Sequence, residues 1–207
     1  MLTPTRIEQL FVELSLPEAG RELVRFAREH SPVRQVQSTS NNCVIWQFSR
    51  KMGNRHLELE SRTVEAVAAT HYEDNPACLE YWPQPFTCDM AVVDDEGRVS
   101  TRRQHTPDFL LIYEDAIVVH EWRDEARLLR LAAQGDYFRK EENGRWRCPA
   151  AEAHFATLGM RYEVHSAKEH PRIYVENVRF LEDYNRPSTP APSAEVTEKI
   201  LGLFADN

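Results

Sequence analysis

No apolar run in this chain approaches the roughly 20 residues needed to cross a bilayer, so no membrane span is expected. The opening residues, Met1-Leu2-Thr3-Pro4-Thr5-Arg6, lack the apolar stretch of a secretory signal, and a cytoplasmic location is the expectation. None of the four cysteines, Cys43, Cys78, Cys88 and Cys148, stands in a CxxC pair. The short spacings of zinc ribbons and redox motifs are therefore missing, and reduced thiols are expected. The eight histidines include no HExxH. His105 and His120 lie close to the informative segment described below, but as lone histidines they read as structural. A surplus of positive charge is also lacking, because 25 basic against 33 acidic residues leave a net charge of -8. That disfavours a stand-alone, non-specific nucleic-acid binder, which needs a clustered positive surface. It leaves room for an enzyme whose DNA is held by partners. No internal repeat is visible.

What is present is a 207-residue chain, 42% hydrophobic and 28% charged. This is the composition of one folded medium domain, with at most a small appendage. Ile7, Leu10, Phe11 and Leu14 recur at helical spacing over residues 5–14. A second helix is expected over 18–30, with Leu23, Phe26 and Ala27 inward. Residues 31–42 read as a connector. Strands are expected at 43–48 and 55–59 around a turn at 49–54, then a helix over 60–74. In that helix Ser61 would cap, and Val64, Val67, Ala68 and His71 would line the inner stripe. Asn75-Pro76 ends it.

Further strands are expected at 79–82, 86–93, 98–104, 109–113 and 117–123, the last four as a meander. Helices follow at 124–133, at 149–158 with Gly159 as C-cap, and at 172–184. Tyr162-Glu163-Val164-His165 reads as a strand between the last two. Pro187, Pro190 and Pro192 among Ser and Thr give residues 185–194 a linker composition. The helix beyond, with Val196, Ile200, Leu203 and Phe204 on one side, either docks on a partner or folds back on the domain.

The segment that carries chemistry is His105-Thr106-Pro107-Asp108-Phe109-Leu110-Leu111-Ile112-Tyr113, followed by Ile117-Val118-Val119-His120-Glu121-Trp122-Arg123. If Glu114-Asp115 forms a two-residue hairpin turn, Ile112 faces Ile117, Leu110 faces Val119 and Asp108 faces Glu121. The two carboxylates then share one sheet face, and Arg123 shares it two residues on. Side-by-side carboxylates repel, so a positive partner is required. Mg²⁺ or Mn²⁺ suits oxygen ligands and leaves positions for water and phosphate, and the Trp122 carbonyl is available as a further ligand. The bland alternative is an Asp at a strand end and a surface Glu–Arg pair. A third acid is sought on the helix at 60–74. It offers Glu60 and Glu65, about 140° apart on the wheel, so only one of them can face the site.

Taken in order, these pieces resemble the PD-(D/E)XK nuclease superfamily, and within it the TnsA-type endonuclease subunit of heteromeric, Tn7-like transposases. The matching residues are Glu60 to Glu65, Asn75-Pro76, Trp82-Pro83-Gln84-Pro85, Thr106-Pro107-Asp108-Phe109-Leu110 and Glu121-Trp122-Arg123. Further matches are Gly144-Arg145-Trp146-Arg147-Cys148-Pro149 and Asn177 to Tyr184.

The resemblance implies an α/β fold with a restriction-endonuclease-like mixed central sheet flanked by helices. It divides the chain into an N-terminal helical segment (1–42), the nuclease domain (43–185), and a Pro-rich linker with a C-terminal docking helix (186–207). It implies that Glu65 is the helix acid, that Asp108 and Glu121 are metal ligands, and that Arg123 stands where the family carries lysine. The implied activity is Mg²⁺-dependent cleavage of double-stranded DNA at the 5′ ends of a transposon. The implied partners are a TnsB-like DDE transposase and a TnsC-like AAA+ regulator. Two other readings accompany it. One is a catalytically weakened module that bridges those partners. The other is a different nuclease on the same fold, such as a junction resolvase or a restriction enzyme.

Overall fold

The computed structural model describes residues 1–33, 45–61, 64–93, 99–135, 137–181, 184 and 189–205. The expected strand start at Cys43-Val44, the turn at Asp94–Gly97 and residues 185–188 of the proline linker lie outside the described residues. Two helices open the chain, α1 (Pro4–Glu13) and α2 (Glu18–Glu29). A hairpin follows, β1 (Ile45–Ser49) and β2 (Arg55–Leu59), then α3 (Glu65–Asp74). Next come β3 (Cys78–Pro83), β4 (Cys88–Val93), β5 (Val99–His105), β6 (Phe109–Tyr113) and β7 (Ile117–Arg123). The remainder is α4 (Glu125–Gln134), β8 (Arg139–Lys140), β9 (Trp146–Arg147), α5 (Pro149–Thr157), β10 (Arg161–Ser166), α6 (Arg172–Leu181) and α7 (Ala194–Ala205).

The architecture is α/β. Six strands form a mixed central sheet in the order β3-β6-β7-β10-β9-β8, in which β7 and β10 are parallel and the other pairs antiparallel. A parallel pair needs a long crossover; α4, the β8–β9 ribbon and α5 supply it. Residues alternate between the faces of β7 and β10. Tyr72 of α3 packs on Phe109 and His120 of one face, while Phe155 of α5 stacks on Tyr162 of the other. Helices thus cover both faces, which is why β6 and β7 read as continuous apolar runs.

The expected four-strand meander does not form. Among the described residues β4 and β5 pair only with each other, and β3 takes the place beside β6. The reason is polarity. Phe109 to Ile112 are fully buried, and such a strand needs an apolar neighbour. β3 supplies Tyr81 and Trp82, whereas Arg102, Arg103 and Gln104 of β5 are exposed.

The helix expected from residue 60 begins at Glu65. Ser61 ends the preceding bend by accepting the Val64 N–H on its hydroxyl and the Ala66 N–H on its carbonyl. Tyr72, not His71, takes the inward position on this helix. On α2, Val24 is buried where Leu23 and Phe26 were expected to lead, and Phe26 instead stacks on His30.

The N-terminal helices join the same core: Ile7, Leu10, Phe11, Leu16, Val24 and Ala27 cluster with the sheet residues. Two glycines make this packing possible. A Cβ at Gly20 would lie 2.2 Å from the Leu158 carbonyl oxygen, and one at Gly159 would lie 2.6 Å from Pro17. On α7, Val196, Ile200, Leu203 and Phe204 are all exposed.

Candidate functional site

The hairpin register is the expected one. Phe109 pairs with His120, Leu110 with Val119 and Ile112 with Ile117, and the Tyr113 N–H donates to the Ala116 carbonyl. Extended by one residue, the ladder sets Asp108 opposite Glu121. A backbone bond holds Asp108 from the other side, as its carbonyl accepts the Gln84 N–H at 2.8 Å. Its carboxylate accepts the Trp122 N–H at 2.7 Å. The peptide that joins Glu121 to Trp122 therefore sits directly against the Asp108 carboxylate.

Glu121 is completely buried, and neither carboxylate oxygen has a hydrogen bond of good geometry. Its charge partner is the Arg123 guanidinium. Burial pushes the Glu121 carboxyl well above the usual carboxylate range, the neighbouring Asp108 pushes it further, and Arg123 opposes both. Burial works against the charge on Arg123, but Glu121 and Asp108 outweigh it and keep the guanidinium firmly protonated.

Glu65 enters from the first turn of α3. Its carboxylate accepts the Glu60 backbone N–H at 2.7 Å. Burial, then repulsion from Asp108, lifts its pKa to about 7. Glu60 lies before the helix, not on it, so the wheel argument that forced a choice between the two acids does not apply. Glu60 receives the Gln84 side-chain amide at 3.4 Å. Asp108 is the acid common to both sides, raising Glu121 on one and Glu65 on the other. The three carboxylates do not close to within 4.8 Å of one another as a trio.

His105, read from sequence as structural, joins the group at the end of β5. Its Nε2 lies 3.7 Å from Glu121 and 3.1 Å from the Tyr162 hydroxyl. Burial and the Arg123 charge bring its pKa down to about 4, so it is neutral near pH 7. A histidine two residues before a Pro-Asp pair was the signal available in the sequence.

Two adjacent acids, one with orphaned buried oxygens, form a donor set that suits a hard divalent cation. Apart from the ion pair with Arg123, the protein gives the buried Glu121 oxygens no partner of good hydrogen-bond geometry, and an oxygen-seeking ion would supply one. The cavity between α2, β2 and β3, about 330 Å³ and lined by His30, Met52, Leu57, Trp82 and Pro85, lies apart from these carboxylates.

Among the described residues, no helix is long and apolar enough to cross a membrane. In comparisons with known proteins, the chain matches no family model and no curated protein.

Proposed function

We propose that the chain is a divalent-metal-dependent endodeoxyribonuclease of the PD-(D/E)XK kind, working as the subunit that cleaves the 5′ ends of a transposon. The observation that carries this reading is the pairing of Asp108 with Glu121 at the end of an apolar hairpin, with Arg123 on the same strand face. Asp108 and Glu121 would hold the ion, aided by the Trp122 carbonyl and with Glu65 nearby. A bound Mg²⁺ or Mn²⁺ would acidify water and neutralise phosphate charge. Arg123 contributes a permanent cation beside the scissile phosphate, stabilising charge without moving a proton. His105, neutral and next to Glu121, is positioned to orient a water.

The test is cleavage of double-stranded transposon-end DNA in Mg²⁺ or Mn²⁺, with the partner DDE transposase and AAA+ regulator present. Wild type should nick the 5′ ends, Asp108→Asn should lose at least about a thousandfold, and Arg123→Lys should retain activity. Wild-type cleavage undiminished in both Asp108→Asn and Glu121→Gln would remove the site.

One observation favours a second reading, that of an assembly module with weakened chemistry. Arg123 is already engaged by Glu121, and a guanidinium held by a carboxylate is less available to a phosphate. Under that reading wild type shows no cleavage with any divalent ion, and Arg123→Lys restores some.

A further inference from the structure

The parallel pairing of β7 and β10 brings a second set of ligand atoms together on the face opposite Glu121. Register sets His120 beside Glu163 and Trp122 beside His165. Alternation puts all four side chains on the face covered by α3. His120 Nε2 and His165 Nε2 each lie 3.6 Å from the same Glu163 oxygen, Oε2. The three ligand atoms lie within 4.8 Å of one another. Two nitrogens and an oxygen at 2.0–2.2 Å from a tetrahedral ion would stand roughly 3.3 Å apart. The two edges that meet at Glu163 are a few tenths of an ångström longer than that geometry, and the two histidine nitrogens lie within 4.8 Å of each other.

Independent contacts aim each ring. His165 Nδ1 bonds Glu169 at 2.7 Å, and Glu169 in turn accepts the Ser166 N–H at 2.8 Å. This is the carboxylate–histidine pairing that fixes the tautomer of metal-bound imidazoles. It leaves Nε2 of His165 facing inward, buried and without a hydrogen-bond partner. His120 Nδ1 meets the Tyr72 hydroxyl at 2.8 Å, which turns its Nε2 toward Glu163. The Trp122 indole stacks on the His165 ring at 4.6 Å and anchors to the Tyr72 oxygen at 2.7 Å. Glu163 and His165 remain partly exposed, at 29% and 20%, which gives an ion a way in.

We infer that His120, Glu163 and His165 form a binding site for one divalent transition-metal ion of the zinc class, with a fourth position open to water. Imidazole nitrogens favour such an ion over Mg²⁺, so this site and the all-oxygen cluster on the opposite face differ in metal preference. An ion here would staple β7 to β10 across their long crossover. The inference stands apart from the nuclease reading, because no ligand atom is shared between the two sites.

The experiment is titration of the purified full chain, cleared of metal by a chelator, with Zn²⁺ by calorimetry and with Co²⁺ by visible absorption. Wild type should bind one equivalent of Zn²⁺ and give the d–d bands of cobalt with nitrogen ligands. Glu163→Gln should weaken binding by at least about 100-fold, and Glu169→Gln, which removes only the partner of His165, by about tenfold or more. Both changes are at partly exposed side chains, and far-UV circular dichroism verifies that each variant is folded. Asp108→Asn should leave Zn²⁺ affinity unchanged. The inference is overturned if wild type binds no Zn²⁺ below millimolar concentration. It is equally overturned if both glutamate variants bind like wild type, or if Asp108→Asn abolishes binding while Glu163→Gln does not.

Discussion

At the scale of single residues, Glu65 shows how an acidic site costs stability. Its folded pKa is about 7, against an ordinary value of 4.5, because it is buried and faces Asp108. For an acid raised on folding, the native state holds its proton more tightly than the unfolded chain. The penalty is absent below pH 4.5, grows from there to 7, and is complete above 7. A shift of this size corresponds to up to about 3 kcal/mol. Glu65→Gln should therefore stabilise the metal-free protein at pH 8 by about 1–3 kcal/mol and change little at pH 4.5. Urea denaturation of both proteins across that range measures it. Equal stability gains at both ends would show that Glu65 carries no such burden.

The elements divide into those that local pattern settles and those that it does not. The β6–β7 hairpin was legible because two apolar runs flank a charged two-residue turn, and alternation then leaves one register that pairs Asp108 with Glu121. The C-cap at Gly159 was legible too. Its φ is +72°, the Gly159 N–H reaches the Ala156 carbonyl, and the Met160 N–H reaches that of Phe155. These are the two bonds of a Schellman motif.

Other features depend on contacts distant in sequence. That β3 rather than β5 flanks β6 follows from which strand can be buried, a choice between two strands that both alternate well enough. The convergence of His120 with Glu163 and His165 depends on a parallel pair closed across α4 and α5, and no local spacing signals it. Tyr72 displaced His71 because a buried hydroxyl found partners in Trp122 and His120.

Gly159 also yields a prediction at this scale. Alanine there meets both the strained φ and Pro17 at 2.6 Å from the added carbon. Gly159→Ala should destabilise by about 2 kcal/mol or more, beyond the roughly 1 kcal/mol of a left-handed alanine alone. Thermal melting reads it directly, and a loss of only about 1 kcal/mol, that of the strained φ alone, would mean that Pro17 and α2 can move away freely.

For the whole molecule the governing quantity is charge. A net charge of -8 opposes DNA binding, and the candidate site adds Glu60, Glu65, Asp108 and Glu121 at the point where, under the proposed function, phosphate would approach. Against this stand Arg102 and Arg103, exposed on β5, the strand that leads into His105 and Asp108. Tyr137 lies under the Arg103 guanidinium at 5.2 Å and helps to orient it.

Divalent ions ordinarily weaken protein–DNA contacts by screening phosphate. If the cluster takes up a cation, the balance reverses locally, because the ion cancels the charge that repels the backbone. Fluorescence anisotropy with a duplex, at fixed ionic strength and with Ca²⁺ as the hard ion, separates the two effects. Wild-type affinity should rise by about tenfold on adding millimolar Ca²⁺, equivalent to about 1.4 kcal/mol. Asp108→Asn should bind the duplex somewhat more tightly than wild type without Ca²⁺, having lost one repulsive charge, and should respond little to the ion. An identical Ca²⁺ response in both proteins would place the ion's effect elsewhere and separate the carboxylates from DNA.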